Sequence, residues 1–213
     1  MSNGMKKIDK DSLNAEERIL KAATDVFAEK GYDAAGVDEI AKRADVTKPL
    51  IYYYFKGKKT ILEELIKRYL KAVVEEKEQY INSINTLDKE MLYKHLDEKI
   101  GIFSKNKKVL KIIAMEMLKE KPVADSVLSS IYQMYHMAMP KIEEMGIEIE
   151  DPMDIIVTSF FFGTVPTLSL MLFGDKFCDF YDIDRDELDK RFFKAMKSVY
   201  LDYFIEYFKE NKK

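Results

Sequence analysis

The stretch from Val37 to Phe55, "VDEIAKRADVTKPLIYYYF", carries two helical patterns with almost no chain between them. Val37, Ile40, Ala41 and Ala44 recur at i, i+3, i+4 and i+7, which places them on one face of a short helix. That helix cannot run far beyond Asp45 and Val46, because Thr47 is suited to an N-cap and Pro49 to the first turn of a new helix. Ile51 and Phe55, four residues apart, give the second helix a core side together with Val46. Two short helices meeting across about three residues have the spacing of a helix-turn-helix.

With that geometry, Lys48, Pro49, Tyr52 and Tyr53 fall on another face, at the end of the second helix that would enter a DNA major groove. A lysine there can meet a base edge or a phosphate. Tyrosine hydroxyls donate to phosphate oxygens, and their rings pack on sugar or on a thymine methyl. Gly57 is expected to end this helix, and Lys58 to open the next, where an ammonium beside free backbone N–H groups forms a phosphate clamp. Thr47 is first a cap and second a phosphate contact. The charge distribution agrees. The chain has a net charge of -3, yet Lys42, Arg43, Lys48, Lys56, Lys58 and Lys59 are interrupted by Asp45 alone. A basic patch on an acidic body points to one polyanion-binding face, although basic helix ends are also common as solvated surface.

Upstream, Asn14 with Glu17 has capping-box spacing, Ile19, Ala23, Val26 and Phe27 form an apolar stripe, and Gly31 suits a C-cap. The polar residues before Asn14 read as a frayed tail. The segment "ILKAATDVFAEKGYDAAGVDEIAKRADVTKPLIYYYFKGKKTILEEL", residues 19–65, resembles the TetR family of transcriptional regulators at many positions in order. Asp45 stands where the family usually has Gly, and Leu50 where a small or hydroxyl residue is frequent. The resemblance implies an all-α chain: a tail over 1–13, a helix-turn-helix DNA-binding domain over 14–60, and a helical ligand-binding and dimerisation domain over 61–213. It also implies a regulator, by family habit a repressor, that binds a palindromic double-stranded DNA operator as a homodimer and is released by a small-molecule inducer.

The rest of the chain reads as helices without repeats. With only 8 Gly and 5 Pro, it favours long helices over a sheet built on tight turns. A helix from Thr60 carries Ile61, Leu62, Leu65 and Ile66. Others are expected over 88–103 and 107–119, from Pro122 with a kink at Pro140, from an Asp151 cap, and from an Asp184/Glu187 capping box. Residues 155–173, "IIVTSFFFGTVPTLSLMLF", are uncharged. Their length could span a membrane. Five hydroxyl side chains, Pro166 and flanking acids favour instead a helix buried by its own domain on one side and a partner subunit on the other. The last helix, with a core stripe of Leu188, Phe192, Met196, Val199, Tyr203 and Tyr207, leaves Leu201, Ile205 and Phe208 outside that stripe. Two such helices per subunit make a four-helix dimer interface.

Methionines and aromatics crowd the second domain. They fill ordinary cores and also line adaptable apolar pockets. Taking the implied inducer as mostly apolar or aromatic, the expected contacts are Phe103, Met134, Tyr135, Phe161 and Met171. No zinc spacing, phosphate loop, dinucleotide fingerprint or nucleophile elbow occurs, so neither a cofactor nor a catalytic site is expected. His95, His136 and Glu116 have no metal-binding spacing. An enzyme or a helical interaction protein acting on a hydrophobic small molecule is the alternative reading. The single Cys178, with no signal-peptide pattern, suggests a reducing cytoplasm.

Overall fold

The computed structural model describes residues 3–84, 89, 90, 92, 93 and 106–212, the stretch 3–14 by backbone alone. Apart from one isolated bridge between Ile147 and Lys212, all regular structure among the described residues is helical. The elements are α1 (Asn3–Lys30), α2 (Val37–Ala44), α3 (Lys48–Phe55), α4 (Lys58–Ser83), α5 (Lys107–Met117), α6 (Lys121–Glu144), α7 (Pro152–Thr158), α8 (Val165–Tyr181), α9 (Arg185–Met196) and α10 (Asp202–Glu210). A π-helical turn, Ser159–Thr164, joins α7 to α8, and a second, Lys197–Leu201, joins α9 to α10. The helix expected over 88–103, with Phe103 and His95, lies mostly outside the described residues; 89, 90, 92 and 93 within it are helical.

Most of the expected boundaries hold for the expected reasons. Gly31 closes α1 at φ +81°, donating its N–H to the Phe27 carbonyl at 2.9 Å. Asp151 and Asp184 cap α7 and α9 by accepting the N–H groups of Met153 and Asp186, each at 2.8 Å. Three expectations change. α1 starts at Asn3, so Asn14 is an interior residue rather than a cap. The Asp184 cap is only half a capping box, because the Glu187 carboxylate accepts from Arg191 Nε at 2.6 Å. α3 ends at Lys56, which adopts the left-handed conformation at φ 55°, and Gly57 becomes the N-cap of α4 at φ 147°, a backbone open only to glycine.

The head is built around Ile19, Ala23, Val26 and Phe27 of α1, Ile40, Ala41 and Ala44 of α2, Ile51 and Phe55 of α3, and Ile61, Leu62 and Leu65 of α4. All are buried, and the same cluster continues into Ile112 and Ile113 of α5 and Val127 of α6. Polar ties reinforce this seam: Lys108 pairs with Asp25 at 2.6 Å, and Lys111 donates to the Ala28 carbonyl at 2.9 Å. Pro140 lies inside α6. Among the described residues one helix, Pro152–Tyr181, is long and apolar enough to cross a membrane by length and composition. It packs on α5 and α9, and exposes Phe161, Phe162, Phe173, Phe177, Phe180 and Tyr181.

Candidate nucleic-acid interface

Three local decisions in the chain produce α3 and its outward face. Asp45 closes α2 in the left-handed conformation at φ 53°, which short polar side chains tolerate. The N–H of Val46 turns back to the Ala41 carbonyl at 3.1 Å, reversing the chain within two residues. Thr47 then takes the N-cap position with extended backbone (φ -80°, ψ 148°), and Pro49 occupies the first turn of α3. The Thr47 side chain makes no cap hydrogen bond, so its hydroxyl is not spent on the helix.

With Ile51 and Phe55 anchored in the core, and Leu50 and Tyr54 half-buried, Lys48, Pro49, Tyr52 and Tyr53 of α3 face solvent. Thr47, Lys48 and Pro49 are exposed. Tyr52 is 47% and Tyr53 78% exposed, high for aromatic side chains on so short a helix. Five of the six residues expected at a DNA surface thus lie together on one exposed end of the head. Lys48 is not idle there: its ammonium contacts both carboxylate oxygens of Asp38, at 2.8 and 3.0 Å. That hydrogen bond, followed by the charge of Asp38, holds the Lys48 ammonium above its ordinary range.

Lys58, the sixth, is placed differently. It does open α4, but it is half-buried, and its ammonium donates to the backbone carbonyls of Tyr32 at 2.7 Å and Asp33 at 3.1 Å. It also sits 4.4 Å from the centre of the Tyr32 ring. The expected phosphate clamp is, in this structure, a latch between α4 and the turn after α1. The physics is local: the Tyr32 carbonyl, which also accepts the Ala35 N–H at 3.3 Å, and the Asp33 carbonyl both point at the ammonium. The same turn is held from the body side, where Lys119 reaches Asp33 at 2.9 Å and the buried Glu116 at 3.3 Å. Tyr32 itself packs edge-on to Phe27 at 5.5 Å, and burial pushes its hydroxyl up. Neither Asp38, the lysine partner, nor the Tyr32 latch was named by sequence reasoning. Their partners lie 10 and 26 residues away, at separations set by tertiary packing rather than by a helical repeat.

Of the five residues expected around an inducer, the four among the described residues differ in their settings. Tyr135 is buried beside Ile155 and Phe204, Met171 is buried, and Met134 is half-buried. Phe161 is 57% exposed, on the outer face of the Pro152–Tyr181 helix, because the π-turn that contains it buries Gly163 instead. Phe103 lies outside the described residues. A groove of about 860 Å³ runs elsewhere, between α4 and α6, floored by Leu62, Ile66, Leu70 and Val123 and touching Tyr32. Among the described residues, no group of three His, Cys, Asp or Glu could hold a metal ion.

A helix-turn-helix head with an exposed Lys/Tyr face, fused to a helical body, defines the class: a DNA-binding regulatory protein. The family comparison agrees. Residues 19–65 match the model for bacterial regulatory proteins of the tetR family. The uncharacterized HTH-type transcriptional regulator YdgC of Bacillus subtilis (strain 168) is 35% identical over 133 residues, covering 54% of this chain and 68% of that protein. The chain belongs to the tetR family. The fatty acid metabolism regulator protein of the same organism is 27% identical over 177 residues, 81% of this chain and 91% of that one. In fold, the chain is similar to the transcriptional regulator FadR from Bacillus subtilis crystallised with stearoyl-CoA, at a TM-score of 0.62 and 22% identity, covering 85% of this chain and 97% of that one.

Proposed function

We propose that this protein is a cytoplasmic repressor that binds a palindromic operator as a homodimer and lets go when a small, largely apolar molecule enters its body domain. The observation that carries the reading is the exposed end of α3, where Lys48, Tyr52 and Tyr53 stand clear of the core beside Thr47 and Pro49. In this reading Lys48 meets phosphate or a base edge, the tyrosine hydroxyls donate to phosphates, and Thr47 and Pro49 fit against the backbone. Lys58 acts one step back, fixing the turn that positions α4. Dimerisation rests on the exposed phenylalanines of Pro152–Tyr181, because exposed apolar groups gathered on one helix mark an interaction surface. Two copies related by a twofold axis read two half-sites where a single α3 reads one.

For the inducer, Met134, Tyr135 and Met171 keep their proposed role as apolar pocket wall, with Phe103 added from the segment outside the described residues. Long acyl thioesters are the first class to test, because stearoyl-CoA is bound in the FadR structure. The test is fluorescence anisotropy of the protein on the DNA upstream of its own gene, with unrelated duplex as competitor and salt varied. Competitor-resistant binding is expected, weakened in Lys48→Ala with a log–log salt slope smaller by about 0.9, and reversed by stearoyl-CoA. Binding that unrelated duplex removes at equal concentration, from protein shown by mass spectrometry to be ligand-free, would sink the operator reading.

A further inference from the structure

Asp38 is the residue that the helix-turn-helix holds against its own DNA contact. It lies in the first turn of α2, and Lys48 is the first residue of α3, so their ion pair ties together the N-terminal ends of the two helices. The carboxylate accepts from the ammonium through both oxygens, at 2.8 and 3.0 Å, while its side chain remains 79% exposed and that of Lys48 46%. The acid therefore stands on the same open surface as the lysine. A phosphate that approaches Lys48 approaches Asp38 as well.

The other ion pairs of the head differ in this respect. Arg43 is held by Glu29 at 2.6 Å and Glu39 at 2.8 Å, and Lys30 by Glu39 at 2.8 Å, tying α1 to α2. None of them includes a residue of α3. An exposed pair such as Asp38–Lys48 contributes little to folding, so stability does not account for an acid at this place. It does change binding. Before Lys48 can neutralise a phosphate it must leave, or share, a carboxylate, and that carboxylate stays behind among the phosphates.

Resting on the DNA-interface reading above, we infer that Asp38 sets the affinity of the interface: it competes with DNA phosphate for Lys48 and so lowers affinity for duplex DNA of any sequence. Binding then becomes strong only where the base and backbone contacts of the correct site add to it. Specificity is a difference of affinities, so this uniform opposing interaction leaves the ratio of operator to bulk DNA as it is and makes both complexes easier to release.

The test uses the full-length protein and a random-sequence duplex of about 30 base pairs, with anisotropy read at about 50 and about 200 mM salt. Asp38→Asn keeps the side-chain size and removes the charge. It is expected to bind the random duplex several-fold more tightly at the lower salt, with a slope steeper by about 0.9, so that its gain is about threefold larger at 50 than at 200 mM. In a Lys48→Gln background the same substitution is expected to give less than half of that gain on a logarithmic scale. Circular dichroism and thermal melts of each variant establish that the fold is retained. Asp38→Asn binding no tighter than wild type would overturn the inference while leaving the DNA interface in place. An undiminished gain in the Lys48→Gln background would overturn it too, since Asp38 would then act by repulsion alone. A wild-type protein that ignores duplex DNA even at low salt would remove the interface reading itself, and the competition with it.

Discussion

Lys58→Met separates two uses of one ammonium group. If Lys58 is a latch, its removal takes a charged donor from the carbonyls of Tyr32 and Asp33, leaving the former only the Ala35 N–H at 3.3 Å, and takes a cation from the Tyr32 ring. A hydrogen bond from a charged donor is worth about 1.5–3 kcal/mol, and the bond to Tyr32, 2.7 Å long and partly buried, falls in that range. The bond to Asp33 is exposed and adds a few tenths of a kcal/mol at most, as surface interactions do. The ring contact adds about 0.5–1 kcal/mol. Methionine keeps part of the apolar stem packed, so a net loss of about 2–3 kcal/mol is expected. For a chain of this size that lowers the melting temperature by roughly 4–12 °C. Urea unfolding followed by circular dichroism reads the loss directly, and DNA affinity is measured where both proteins are fully folded. Stability within about 0.5 kcal/mol of wild type, together with a large drop in DNA affinity, would refute the latch and restore the phosphate clamp.

Two further substitutions probe the body. An added Cβ at Gly163 would lie 2.7 Å from Cζ and 2.8 Å from the hydroxyl oxygen of Tyr200, a ring held edge-on to Phe204 and hydrogen-bonded to the Ser159 side chain. Gly163→Ala is therefore expected to destabilise by about 1–2 kcal/mol in thermal melts despite alanine's helical advantage of about 1 kcal/mol; a variant as stable as wild type would show that Tyr200 steps aside freely. Phe173→Asp places a charge on the exposed phenylalanine face and is expected to shift sedimentation from a dimer toward the 24.9 kDa monomer with helicity retained; wild-type protein already monomeric at micromolar concentration would remove the dimer from the proposal.

The head was legible because every signal in it is local. The stripes Ile19–Ala23–Val26–Phe27 and Val37–Ile40–Ala41–Ala44, the breaks at Gly31 and Asp45, and Pro49 at the start of α3 each act within a few residues. Together they fixed which residues of α3 are left outside. What Lys48 and Lys58 actually hold was not legible. A lysine's stem reaches any acceptor that the tertiary fold brings near it: Asp38 meets Lys48 only when α2 and α3 have packed, and the Tyr32 carbonyl meets Lys58 only when α4 packs beside the turn after α1.

The final helix shows how a correct pattern can give the wrong face. Counting in α-helical steps from Leu188 through Phe192 and Met196 leads to Val199 and Tyr203 as core, and leaves Leu201 and Ile205 for a partner. In the structure Val199 is 66% and Tyr203 47% exposed, whereas Leu201, Phe204 and Ile205 are buried. The π-turn Lys197–Leu201 accounts for it: it inserts one extra residue, so Val199 and Tyr203 rotate outward, while Tyr207, farther along, is half-buried against the core. The continuous helical runs Pro152–Tyr181 and Arg185–Glu210 each contain such a turn, and the two turns meet where Tyr200 lies over Gly163. A glycine without room for a Cβ and a tyrosine that fills that room hold the shifted register in place. In the dimer proposed above, the face that the last helix has free for a second subunit is therefore the one bearing Val199 and Tyr203. Substitutions meant to weaken a dimer belong there, while Leu201 and Ile205 would report on the core instead.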